Sequence, residues 1–190
     1  MGLGLGAVTA RFDGAALRAY AWPLAVPAPH VPPARWDALR SWCVAGLSTQ
    51  PFAHAFCQAP EGSPAPWRAA ALALELDGSG LLQACTSPLQ RWRLRLRVKL
   101  QDAVAAWPRE DGLVWDSGFV PAEPAAWQAL MQFVPRRPTF IVMQGLPPND
   151  VAHLLGSLSE RSAGFSKPVR VLVLALPGSA APAGATHMPA

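Results

Sequence analysis

Residues 91–100 read RWRLRLRVKL, in which Arg91, Arg93, Arg95, Arg97 and Lys99 alternate without a fault with Trp92, Leu94, Leu96, Val98 and Leu100. How this stretch folds decides the architecture of the middle of the chain. As a strand, its period of two puts every cation on one face and every apolar side chain on the other. A helix over 88–107 is the competing reading: Ser87 caps it, Pro88 takes its first position, and Gln90 completes an S-x-x-Q capping box. Leu89, Trp92, Leu96, Leu100, Val104 and Trp107 then form its apolar stripe. That helix strands Leu94 and Val98 on the far side and puts Arg93 inside the stripe. Sorting by face therefore selects a strand over 91–100, with a short helix over 102–107 that stops at Pro108.

Immediately upstream, WRAAALALELDGSGLLQACTS places Leu72, Leu74 and Leu76 at period two ahead of the turn sequence Asp77-Gly78-Ser79-Gly80. Glycine supplies the positive φ that hairpin turns need, so this predicts a β-hairpin. Leucine and alanine pull the other way, toward helix. Hairpin and ladder together give an antiparallel meander over about 69–100.

The chain changes rhythm downstream. LVW at 113–115 predicts a short strand, PAEPAAWQALMQF at 121–133 a helix, TFIVM at 139–143 a buried strand, PPNDVAHLLGSLSER at 147–161 a helix, and PVRVLVLAL at 168–176 another strand. Strands that alternate with helices imply parallel pairing through right-handed crossovers. The expected fold is α/β, a mixed sheet in which the meander is continued by a βαβαβ unit over about 112–176, with helices packed on it. An earlier helix is expected within PPARWDALRSWCVAGL at 32–47, opened by Pro33 and ended near Gly46.

The 190 residues fit one domain, over 1–176, and half of them are hydrophobic, enough to build a core. The 21 prolines exceed the usual share about twofold, and they collect in WPLAVPAPHVPPA at 22–34 and PGSAAPAGATHMPA at 177–190. Proline fixes φ and removes a backbone donor, so the first segment is expected to be irregular and the tail disordered. No apolar run reaches the roughly 18 residues of a membrane span, and MGLGLGAVTARF lacks the basic n-region of a cleaved signal. A cytoplasmic protein is the expectation. Its arginine-dominated charge fits a GC-rich, bacterial-like composition.

Several chemistries are weakened by their missing motifs. Gly2, Gly4 and Ala7 fit G-x-G-x-x-A only formally, since no strand precedes them. The chain has no G-x-x-x-x-G-K-[ST] and no G-x-S-x-G. Cys43, His54 and Cys57, with His30, follow no finger or ribbon spacing, and cysteines beside Phe52 and Phe56 read as core residues. Neither metal nor cofactor is expected. Three cysteines at unrelated spacings (the third is Cys85) suit reduced thiols better than a disulfide framework.

Two groups of candidate residues remain. If the ladder is a strand, Arg91, Arg93, Arg95, Arg97 and Lys99 project at about 6.6 Å intervals and suit anionic phosphates or an acidic surface. Asp116, Asn149, Asp150 and His153 follow expected strands, and ligands of open α/β sheets bind at strand carboxyl ends. Eight tryptophans are many for this length, and an exposed cluster of them marks protein interfaces. The expected function is a non-catalytic binding or adaptor domain that contacts another protein. Two alternatives stand beside it: an anion-binding module for nucleic acid or an acidic surface that uses 91–99, and a small α/β enzyme with its site at the strand carboxyl ends.

Overall fold

The structure, a computed structural model, describes residues 14–19, 34–47, 49–59, 65–78, 87–93, 96, 114–176, 178–179, 181–182 and 184–188. In chain order they form α1 (Ala34–Val44), β1 (Phe52–Gln58), α2 (Ala65–Leu76), β2 (Asp116–Phe119), α3 (Pro124–Met131), β3 (Thr139–Gln144), α4 (Pro148–Arg161), β4 (Val169–Ala175) and β5 (Thr186–Met188). A 3-10 turn, Ser162–Gly164, follows α4.

The five strands among the described residues all pair in parallel, in the order β2-β3-β4-β1-β5. The expected meander is overturned: residues 65–76 are helical, and so are 88–93 and Leu96 within the ladder region. The physical reason is local in both places. In APWRAAALALEL the strongest helix formers dominate, and Ala65, Ala69, Leu72 and Ala73 fall on one buried face at helical spacing. Gly78, at φ +75°, follows the end of α2. At the ladder the capping box decides: Gln90 N–H donates to Ser87 Oγ at 3.2 Å, and Ser87 N–H donates to Gln90 Oε1 at 3.5 Å. Period-two apolarity with a single β-branched residue, Val98, does not outweigh two satisfied end groups.

The succession β2-α3-β3-α4-β4 supplies the βαβαβ unit of the C-terminal half. β2 begins at Asp116, later than LVW, because the preceding Trp115 N–H is drawn to Leu76 O at the end of α2, 2.9 Å away. Ser117 Oγ donates to Ala73 O at 2.6 Å and ties β2 to the same helix. α4 buries Val151, Leu154, Leu155 and Leu158, the i, i+3, i+4, i+7 face, each such burial being worth on the order of 2 kcal/mol. Arg161 in its last turn donates to Met131 O, and so joins the ends of α4 and α3.

The faces on which the helices lie follow from handedness. The β1-to-β2 connection crosses over β4 and β3 in one direction, whereas β2-to-β3 and β3-to-β4 step back in the other. Crossovers of one hand that run in opposite directions must use opposite faces. Leu130 of α3 and Leu154 of α4 accordingly pack on Phe56, Ile141, Met143 and Val173. Ala69 and Leu72 of α2, with Cys43 of α1, pack on Ala55, Phe140, Val142 and Leu172 across the sheet.

Two strands lie where none was expected. β1, FAHAFCQ, contributes to both cores, so it lacks the one-sided alternation that advertises a strand. β5 lies in the tail taken as disordered, where Thr186, His187 and Met188 pair with Ala55, Phe56 and Cys57. At the opposite edge, Arg18 and Phe119 exchange two backbone hydrogen bonds of 2.9 Å in an antiparallel bridge, and Ala16 and Leu17 beside it are fully buried. Of the proline-rich segment 22–34, all but Ala34 lies outside the described residues.

Candidate functional site

The crevice expected to gather Asp116, Asn149, Asp150 and His153 does not form. Asp116 opens β2 opposite Thr139, the first residue of β3, which puts it at the amino edge of the sheet. Asn149, Asp150 and His153 belong to α4, which starts beyond Gln144 at the carboxyl edge. Five residues of strand separate the two levels, about 16 Å. Asp116 instead meets Arg137 in a buried ion pair of 3.4 Å, and His153 faces solvent. The sequence could not reveal this, because a three-residue shift of the strand, from 113–115 to 116–119, turns Asp116 from the residue after the strand into its first.

Of the cationic row, Arg91 and Arg93 are described, and they do not share a strand face. Arg91, Trp92 and Arg93 are helical and exposed, and residues two apart on a helix point about 200° away from one another. Arg95, Arg97 and Lys99 lie outside the described residues. What the helix presents instead is apolar: Leu89 is 57% exposed, Trp92 58% and Leu96 40%. Leu89 and Trp92, at i and i+3, share one side of the helical turns 88–93. With Leu96 they are three members of the stripe that the rejected helical reading names. Trp115, by contrast, is buried, and Trp127 Nε1 donates to Pro121 O at 3.0 Å.

Cys43, His54 and Cys57 do not converge. His54 and Cys57 are three residues apart on β1 and so face opposite ways, and Cys43 joins Cys57 in the core under α2. Among the described residues no group of three histidines, cysteines or acids is placed to hold a metal. Burial pushes the Cys43 thiol up to about 12, against the opposing pull of the Arg170 guanidinium. Burial likewise raises the Cys57 thiol, with Arg68 opposing. Since the thiolate is the reactive form, iodoacetamide at pH 8 will leave Cys43 and Cys57 unmodified in the native protein and label both after denaturation. Peptide mass mapping reads this directly, and rapid native labelling at Cys43 would contradict the geometry. The sign for stability follows: above pH 9.0 the unfolded chain loses the Cys43 proton first, so stability is intact below that pH and falls toward pH 12. Cys43→Ala should lose less stability than the parent over that interval.

The sheet's carboxyl edge has a cleft of about 610 Å³. Phe56, Met143 and Val173 form its floor where β1, β3 and β4 end, and Leu146, Val151 and Leu176 contribute to its walls. It lies where strand order reverses: β1 leads off toward β2, whereas its neighbour β4 leads off toward β5. That is the position at which open α/β sheets bind ligands. Missed by the sequence reading, it could be found only by knowing that β1 is a strand next to β4.

No helix among the described residues is long and apolar enough to cross a membrane. Comparison with known proteins returns no match to a family model, to a curated protein or to a solved structure.

Proposed function

We propose that this protein is a binding domain that engages another protein through the helical segment that starts at Ser87. The observation that carries this reading is the exposure of Leu89 and Trp92 on one side of that helix, with Leu96 exposed beyond them, next to the exposed cations Arg91 and Arg93. Large apolar side chains at helical spacing, such as the i, i+3 pair Leu89 and Trp92, are the anchors by which an amphipathic helix fills a hydrophobic groove, and tryptophan and arginine dominate such contacts. The flanking guanidinium groups complement a groove with an acidic rim. Capping by Ser87 and Gln90 favours the helix before contact and so reduces the entropy lost on binding.

A photo-crosslinking benzoylphenylalanine in place of Trp92 will capture the partner in cells, and the purified pair then tests the reading quantitatively. Trp92→Ala should weaken the complex about 30-fold or more, the effect of losing a 2 kcal/mol hot spot. Circular dichroism and melting temperature should stay unchanged, because the side chain is exposed. Undiminished affinity in Trp92→Ala rejects the helix as the contact. If duplex DNA binds instead, with affinity that falls steeply as salt rises and is lost in an Arg91→Glu, Arg93→Glu variant, the anion-binding alternative takes its place.

A further inference from the structure

The cleft at the carboxyl edge of the sheet is separate from the proposed contact helix and supports a second, independent reading. We propose that it is a binding site for an uncharged, predominantly apolar small molecule that offers one hydrogen-bonding group to the polar rim at Gln144 and Ser179.

The size of the cleft is the first argument. About 610 Å³ lies within the range of ligand sites, whereas gaps inside a packed core are rarely larger than a water molecule. The second is the exposure of Leu176, 70%, at the mouth of the cleft. A ligand lying over the floor would cover this side chain, whose exposure otherwise has no return in folding energy.

Charge selects the ligand class. Among the described lining residues there is no lysine, arginine, aspartate or glutamate. The nearby start of α4 does not offer an anion site either. Pro148 has no N–H, and the N–H groups of Asp150 and Val151 already donate to Pro147 O at 3.1 and 3.0 Å. Asp150 adds a negative charge to that first turn. Phosphates, which elsewhere sit at such helix starts, would meet apolar walls and an acidic residue.

Polarity at the rim is sparse and available. Gln144 and Ser179 are the polar residues that line the cleft, and neither side chain has a hydrogen-bond partner among the described residues. The Ser179 carbonyl is held by Gln58 Nε2 at 3.4 Å, which anchors the segment after β4 to the end of β1. An apolar pocket with one or two fixed polar groups is the usual composition of a site that orients a mostly hydrophobic ligand.

N-phenyl-1-naphthylamine, an uncharged fluorescent diarylamine with one N–H group, is the probe. Saturable 1:1 binding is expected, accompanied by a shift of the Met143 methyl resonance in methionine-methyl-labelled protein, with Met131 unmoved. Ala152 lies on the exposed side of α4 yet lines the cleft, so Ala152→Trp fills the site without disturbing the core. It should weaken binding at least tenfold, while Ala125→Trp on exposed α3 leaves it unchanged. Three results overturn the proposal: no saturable binding, binding that persists in Ala152→Trp but disappears in a Leu89→Ser, Trp92→Ser variant, or displacement of the probe by ATP with a matching Met143 shift. The double variant separates failure of this site from failure of the helix contact.

Discussion

Arg170→Met will destabilise the fold by about 3–5 kcal/mol, a large part of the 5–15 kcal/mol that holds a typical domain together. Arg170 is fully buried in β4, the middle strand of the sheet, on the face that carries α1 and α2. Its guanidinium donates to Ala45 O at 2.8 Å, to Gln50 O at 3.0 Å and to Val169 O at 3.2 Å. Ala45 follows the last residue of α1 and Gln50 precedes β1, so one side chain closes the turn that joins them. A cation there also meets the negative end of the helix dipole. Burial lowers the Arg170 pKa, yet the carbonyls hold the charge in place. Methionine fills most of the volume but leaves two loop carbonyls without a donor, each costing roughly 1–3 kcal/mol. Arg170→Lys keeps the charge without the fork, so it should fall between the two. Urea denaturation measures all three. A methionine variant within 1 kcal/mol of the parent would show that the guanidinium is dispensable.

Gly118→Val comes next, with an expected loss of about 3–4 kcal/mol from one buried leucine and two backbone hydrogen bonds. A Cβ on Gly118 would lie 2.6 Å from Arg18 O, a backbone atom that cannot swing aside. The glycine is therefore required by the close approach of residues 14–19 to β2, and not by its own φ. The Arg18–Glu123 ion pair is exposed and adds little, so it will not hold the segment once the bridge is broken. Limited trypsin digestion provides a second measurement, since release of the segment should speed cleavage after Arg18. If Gly118→Val melts and digests like the parent, the Arg18–Phe119 bridge does not contribute to the stability of the edge.

The two halves of the chain were not equally legible in the sequence. In the C-terminal half, TFIVM and PVRVLVLAL are β-branched runs too short for helices and too apolar for loops. The segments between them show a clear 3.6-residue spacing, so periodicity and composition agree. In α2 and at the ladder they conflict. Leu72, Leu74 and Leu76 alternate like a strand, but alanine and leucine propensity runs the other way, and propensity wins where no neighbouring strand is present to pair. Ser87 and Gln90 were read as a capping box, and their reciprocal bonds were the better guide.

The candidate sites were less legible than the fold. His54 and Cys57 look like neighbours in one dimension, but a strand turns them to opposite faces. Asp116 and Asp150 both follow apolar runs, yet one opens its strand and the other opens the helix after the next strand. Trp92 was assigned to the dry side of a strand; on the helix it is the most exposed of the three apolar residues.

By itself the sequence determined what depends on near neighbours: the helices α1, α3 and α4, the buried strands β3 and β4, and the absence of nucleotide and hydrolase motifs. Capping, propensity and hydrophobic spacing act within about one or two turns of chain, so ten or fifteen residues contain them. Only the tertiary structure decided that β1 lies beside β4, that the last strand joins it from a proline-rich tail, and that a cleft opens where their paths diverge. Those features depend on hydrogen bonds and packing between segments more than a hundred residues apart, for which no local pattern is required.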